Sequence, residues 1–191
     1  MKEHHDNKYQ NSILEHYQSV WNYTKPLVYL YDKGPIEALP RDFRVLEFPP
    51  NRKRDMWTYA TCCMSQENDI NSIEVHIFSS IQDVELVELL TALVYYHRIT
   101  KNINLHHTVN FGRPWQKDSK CSYGFISLPY LDGPKLENLE LLHNGKVVKF
   151  YWLIPITNQE VEYKRNFGTE LLEQKFGKDF NYLNPFRKSV V

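Results

Sequence analysis

Between Ile81 and Ile99 the sequence carries a helix pattern that is apolar around most of its circumference, with strand-like runs clustered on either side. Leu86, Leu89, Leu90, Leu93, Val94 and His97 recur at intervals of three and four, a wider band than the single stripe of a surface helix. Such a helix needs cover on several sides, which makes it the expected centre of the core. Ser80 and Asp83 stand ahead of it at capping distance, although Glu or Gln would be the stronger partner. Upstream, strands are predicted at 43–48, stopped by Pro49-Pro50, at 56–64 and at 72–79. In 72–79, Ile73, Val75 and Ile77 point one way while Glu74 and His76 point the other.

Downstream, strands are predicted at 107–111 and 121–128. A hairpin follows, in which Asn144-Gly145 between two apolar runs predicts a type I′ turn, and Pro155 is expected to end its second strand. Thr157 and Glu160 have capping-box spacing and open a helix running toward Phe176, with Gly177 as its stop and Gly168 as a break or kink within it. A first helix is predicted from Lys8 to Tyr23, with Ile13, Tyr17, Val20 and Trp21 on its apolar face and residues 1–7 as a flexible tail. Clustered strands with few helices between them favour an α+β fold over a doubly wound one. The expected architecture is a largely antiparallel or mixed β-sheet with helices packed on it. Without repeats or linkers, residues 1–191 are read as one domain.

The 23 Lys and Arg residues balance 23 Asp and Glu residues, so there is no basic excess for coating nucleic acid. No run approaches the roughly 20 apolar residues needed to span a bilayer, and residues 1–8 lack the pattern of a secretory signal. Three cysteines, Cys62 and Cys63 adjacent and Cys121 alone, form no disulfide framework. A cytoplasmic protein with reduced thiols is expected, with neither nucleic acid nor membrane as partner.

Generic chemistry finds little support. His4-His5 and His106-His107 are adjacent pairs, and adjacent residues do not converge on one ion in a regular element; no metal-ligand spacing occurs. Cys62 and Cys63 sit inside a strand with no cationic neighbour to lower a thiol pKa. Cys121, near Lys117, Lys120 and the histidine pair, is the better nucleophile candidate, with core packing as the simpler account. Phosphate-binding glycine loops and a G-x-S-x-G elbow are absent from the sequence. No cofactor is expected.

Binding surfaces remain. Arg52-Lys53-Arg54 reads as a solvated basic turn, and Asp83, Glu85 and Glu88 make the start of the central helix acidic. The segment Asn110 to Trp115 sets Arg113 and Trp115, residue types enriched in interface hot spots, in a loop shaped by Gly112 and Pro114. Trp115 could equally fold back onto the core, and Arg113 could form a surface ion pair.

Five segments together resemble the bacterial suppressor-of-fused-like family: Met56 to Thr61, Glu85 to Leu90, Thr108 to Trp115, Ile126 to Pro134 and Phe150 to Thr157. Their joint occurrence in order covers the chain from about Trp21 to its C-terminus. The resemblance implies a non-enzymatic protein-binding domain. Animal members grip an extended peptide of a transcription factor as a β-strand between two lobes. The present chain has the size of the N-terminal lobe, so that clamp is not expected here.

Many bacterial members are similar to immunity proteins of polymorphic toxin systems, which implies a cytoplasmic protein that binds and neutralises a cognate toxin domain, with a monomer favoured. The alternative is an adaptor that captures an extended partner strand, and the third reading is an enzyme using Cys121 and His106/His107. The loop from Gly112 to Tyr123 corresponds to part of the animal peptide-binding region. It nominates Trp115, Asp118, Arg113 and Tyr123 as partner-binding residues, with Trp115 supplying aromatic area and Asp118 a charge toward a basic surface.

Overall fold

A computed structural model describes residues 3–23, 25–31, 36–177 and 180–191. Helix α1 (Glu3–Trp21) is followed by strand β1 (Leu27–Tyr29), a single 3-10 turn (Ile36–Ala38), β2 (Arg44–Phe48), β3 (Trp57–Cys62) and β4 (Ser72–Ser79). The apolar helix α2 (Glu85–Ile99) leads to β5 (Thr108–Asn110) and β6 (Cys121–Ser127). The short helix α3 (Pro134–Glu137), β7 (Asn138–Glu140), β8 (Val147–Thr157), α4 (Asn158–Phe167) and α5 (Thr169–Lys175) complete the chain. The strands form one sheet in the order β1-β2-β3-β4-β8-β6-β5, with β7 alongside the first residues of β8. All pairings are antiparallel except β4 with β8, so the sheet is mixed and the fold is α+β.

The sheet is covered on both faces. Ile73, Val75 and Ile77 of β4, with Tyr151 and Leu153 of β8, share a core cluster with α2 and Trp115. Val148 and Phe150 lie on the opposite face with Tyr9, Ile13, Tyr17 and Trp21 of α1. Further along that face, Trp152, Ile154 and Ile156 pack with Val161 of α4 and with Phe176, Phe180 and Tyr182. Every residue of β4 is therefore buried, including Glu74 and His76, which face α1. Two-sided burial explains why this strand is hydrophobic on one face yet not solvated on the other.

Several local expectations change. Residues 3–7 belong to α1, so the helix begins five residues before Lys8; residues 1 and 2, the rest of the expected tail, lie outside the described residues. Helix α2 starts at Glu85, not Ile81: Val84 is its N-cap without a side-chain bond, and Asp83 Oδ1 accepts instead from Glu85 N at 3.0 Å. The hairpin forms, but its loop is wider than a type I′ turn. Leu141 O accepts from both Asn144 N and Gly145 N, and only Gly145 (φ 67°) has the left-handed conformation.

Pro155 does not end β8. It pairs with Gly124 of β6, while its carbonyl accepts from Arg187 Nη2 at 2.8 Å. An extended residue directs its N–H and C=O to the same side. The missing N–H of Pro155 therefore faces the C-terminal segment and costs the β6 ladder nothing. β4 pairs with β8 only as far as Trp152, which leaves that side open for the C-terminal residues. The Thr157 capping box forms as predicted, with Thr157 N donating to Glu160 Oε2 and Glu160 N donating to Thr157 Oγ1. Gly168, at φ 91°, divides the last helix into α4 and α5.

The basic run is also reassigned. Arg54 is not a solvated cation: its guanidinium lies 5.2 Å from the Trp21 and Phe78 ring centroids and pairs with Asp132, whose side chain is 1% exposed. Asp132 Oδ1 also accepts from Trp21 Nε1 at 2.9 Å. One buried carboxylate thus ties α1 to the turn before β3 and to the loop after β6.

A candidate partner-binding surface around the β5–β6 loop

The loop between β5 and β6 is held by its own backbone. Trp115 N donates to Cys121 O at 3.0 Å, Ser119 N to Gln116 O at 3.1 Å, and Gly112 N to Asn110 Oδ1 at 2.8 Å. Asp118 has a left-handed backbone (φ 61°), which a short polar residue tolerates better than most. Trp115 is 1% exposed and belongs to the α2-side core. It supplies apolar volume that anchors the loop, so it is not a contact residue. Arg113 pairs with Glu85 Oε2 at 2.6 Å and reaches Glu85 O at 3.3 Å, clamping the loop to the first turn of α2.

Asp118 is exposed at the rim of a cleft of about 660 Å³. The cleft runs between the β4–α2 connection, this loop and the C-terminal segment, with Ile81, Asp83, Gln116, Leu183 and Phe186 among its walls. Asp83, Glu85 and Asp118 face one lysine, Lys117, so the lining is acidic. Gln116 is 3% exposed; its Nε2 donates to Ser79 Oγ at 2.9 Å and to Asp83 Oδ2 at 3.0 Å. Its Oε1 has no partner among the described residues. An unpaired buried acceptor is costly unless something else supplies a donor. Ile81 and Phe186, 58% and 66% exposed, add apolar area at the rim.

Tyr123 points elsewhere. It lines a depression of about 610 Å³ on the far side of β5, with Thr108, Val161, Lys164 and Arg165. On the near side of β5, Leu89, Leu93, Val109, Phe111 and Arg113 line a groove of about 390 Å³. β5 is the last strand of the sheet, so one of its sides has no strand partner, and a groove lies along each face. Arg113, Trp115 and Asp118 share the β5–β6 loop, Tyr123 lies in β6 between Asn110 and Ile156, and the four do not meet in one pocket. Gln116 and Phe186 carried no signal in the sequence. Asp83 did, as part of the acidic start of α2.

The thiol and histidine candidates do not assemble. Cys121 is buried, burial raises its pKa, and it stands opposite Thr157 at the start of β6. His106 and His107 hydrogen-bond through their backbones to Ile126, five residues further along β6, roughly 16 Å at the usual strand rise. Burial lowers the His107 pKa, helped by Lys101 and Lys164. Cys62 is held well above the usual thiol range by its contact with Cys63 and by burial. Among the described residues no group of three or more His, Cys, Asp or Glu could hold a metal ion, and no helix is long and apolar enough to cross a membrane.

The family model described as Suppressor of fused protein matches residues 40–188. The chain belongs to the suppressor-of-fused family. A crystal structure of a protein described as a suppressor-of-fused homolog from Neisseria gonorrhoeae is 31% identical, with a TM-score of 0.83 over 96% of this chain and 97% of that one. The fold is shared with a chain of the Sufu–Fu complex, at 14% identity and TM-score 0.69 over 95% of this chain and 92% of that one. It is shared also with Drosophila Suppressor of Fused, at 15% identity and TM-score 0.67, where the match covers 96% of this chain and 51% of the other. No curated protein sequence matches the chain. The suppressor-of-fused segments recognised in the sequence fall on β3, the start of α2, β5 with its following loop, the end of β6 and β8. The family motifs thus map to the sheet centre and to the loop that borders the cleft.

Proposed function

We propose that this chain is a non-enzymatic domain that works by binding a protein partner, and that the partner is a cognate toxin domain neutralised by one-to-one occlusion in the cytoplasm. The carrying observation is the acidic cleft beside the β5–β6 loop, with Asp118 at its rim, an unpaired Gln116 acceptor in its wall and exposed Ile81 and Phe186 beside it. Apolar area around charged groups suits a specific protein interface, and Asp83 and Asp118, beside a Glu85 that Arg113 already pairs, suit a basic partner surface. A fold relative occurs in a Sufu–Fu complex, which fits a partner-binding role for the family. The resemblance to bacterial members of the family, many of which are similar to immunity proteins, favours a toxin as the partner.

The test is co-expression with the toxin encoded beside the gene. A 1:1 complex on gel filtration and loss of toxicity are expected, with Asp118→Asn weakening the complex. Absence of a neighbouring toxin, or of any complex with it, overturns the immunity reading.

A second reading rests on a different observation, the unpaired side of β5 between two grooves. There the domain captures an extended peptide as an added strand, with affinity on the order of micromolar. Binding from an array of extended peptides, lost when Thr108→Pro removes an N–H that faces away from β6, supports it. An array without hits counts against it.

A further inference from the structure

A separate cavity of about 380 Å³ opens on the α4–α5 face of the sheet, where β6 and β8 meet the end of α5 and the C-terminal segment. Its walls are mainly rings: Trp152 from β8, Phe176 just after α5, Phe180 and Tyr182 from the C-terminal segment, and Tyr130 from the loop after β6. Trp152 and Tyr182 meet edge to face, 5.2 Å apart at 89°, while Phe176 and Phe180 stack at 4.4 Å. Tyr130, 57% exposed, stands at the mouth.

Among the described residues that line this cavity, Glu173 alone carries a formal charge. The buried Ser127 hydroxyl donates to Glu173 Oε1 at 2.9 Å, which holds the carboxylate in place. His106 Nε2 lies 4.0 Å from that same oxygen, and Oε2 has no hydrogen-bond partner among the described residues. The cations beside these rings are already paired, Arg187 with Glu160 and Arg54 with Asp132. Burial raises the Tyr130 hydroxyl pKa, with Glu173 and Glu137 adding to it. The Tyr182 hydroxyl is raised by burial and by Asp55 and Asp132, against Arg54.

Aromatic faces attract cations, most strongly where water is excluded. Rings of this molecule already show the pairing: Arg54 lies over Phe78, Lys164 over Phe125 and Arg187 over Phe180, itself a wall of the cavity, at 5.2, 5.3 and 4.8 Å. None of Trp152, Tyr182, Tyr130 and Phe176 has a protein cation over it among the described residues. A primary ammonium or guanidinium brings three or five N–H donors and, for the ammonium, a tightly held hydration shell. The walls offer mostly ring and aliphatic carbon. A quaternary ammonium has no N–H to satisfy, and its methyl groups spread the charge over the ring faces.

We propose that this cavity binds a quaternary ammonium group, with the rings forming the cage and Glu173 supplying the counter-charge. The cavity shares no lining residue with the cleft at Asp118 or with the grooves beside β5.

Calorimetric and NMR titrations of the full chain with choline and with 3,3-dimethylbutan-1-ol, its uncharged carbon isostere, test the proposal. Choline is expected to bind about tenfold more tightly than the isostere, a difference of about 1.4 kcal/mol. Glu173→Gln should weaken choline severalfold without changing the isostere, leaving the part of the preference that the ring faces supply. Tyr130→Ala, at an exposed position, should weaken both with the melting temperature unchanged. Titrations with phosphocholine and with a trimethyl-lysine peptide identify the carrier: tighter binding of either than of choline supports the cage and names the source. Equal binding of choline and the isostere, no choline binding at all, or choline binding unaffected by both substitutions overturns it.

Discussion

Arg187 and Glu160 face each other in the interior through two parallel hydrogen bonds, Nη1 to Oε1 at 2.6 Å and Nη2 to Oε2 at 2.7 Å. Glu160 belongs to the capping box of α4 as well, and its Oε1 accepts from Val190 N at 3.0 Å. Arg187 also holds the carbonyl of Pro155. This pair fastens the C-terminal residues to the end of β8 and the start of α4. Removing one partner leaves a buried charge uncompensated, so Arg187→Met should destabilise the protein by about 3–5 kcal/mol in urea unfolding. The double variant Glu160→Gln, Arg187→Met should lose less than the sum of its singles, because neither charge is then stranded.

Glu74 and His76 make stability depend on pH in opposite senses. Burial pushes the Glu74 carboxyl up to about 8, even though Thr61 Oγ1 (2.6 Å) and Met64 N (3.3 Å) donate to it, and pushes His76 down to about 4. The folded state therefore retains a proton on Glu74 that the unfolded chain releases above about 4.5, and stability falls as pH rises from there to about 8. His76 acts the other way: its contribution is lost as pH drops from 6.5 toward 4. Above 6.5 only the Glu74 slope remains. Wild-type melting temperature should decline between pH 6.5 and 8, and Glu74→Gln, which still accepts from Thr61, should flatten that decline.

Trp115 and Asp118 separate folding from binding within one loop. Trp115→Ala removes a buried ring and should cost about 3–5 kcal/mol. Asp118→Asn keeps a residue tolerant of the left-handed conformation and should change stability by less than about 0.5 kcal/mol. If the acidic cleft is the docking surface, the Asn variant should bind a basic partner about tenfold more weakly, as surface plasmon resonance would show.

The three cysteines are all buried, and the Cys62 and Cys121 thiols are held toward their neutral forms. Thiolates are the reactive species, so a thiol reagent should label the native protein slowly and all three cysteines once denaturant is added. Fast labelling of Cys121 in the native state would reopen the nucleophile reading.

What was legible in the sequence was what local chemistry decides. The Thr157–Glu160 capping box, the break at Gly168 and the alternation of β4 depend on residues close together in the chain, and all three occur. Features decided by distant partners were not legible. Arg54 looked like a surface cation because Trp21, Phe78 and Asp132, which enclose it, lie far away in sequence. Pro155 looked like a strand end because nothing nearby announces that Arg187 would occupy its side of β8. The three-residue β1 is too short to show alternation at all. In the candidate site, the loop was legible from Gly112, Pro114 and Trp115. The cleft was not, because its other wall comes from the C-terminal segment.

The one parallel pairing also sets an order of events. Strands β1 to β4 are chain neighbours joined antiparallel, so they can zip up locally, whereas β4 gains its second neighbour only when β8 arrives. During synthesis, everything from α2 to β7 must leave the ribosome while one side of β4 stays open. An unpaired strand that carries Ile73, Val75 and Ile77 is an adhesive edge. Mutations that slow docking of β8 should therefore appear first as aggregates of newly made chains, while molecules that complete the sheet remain competent.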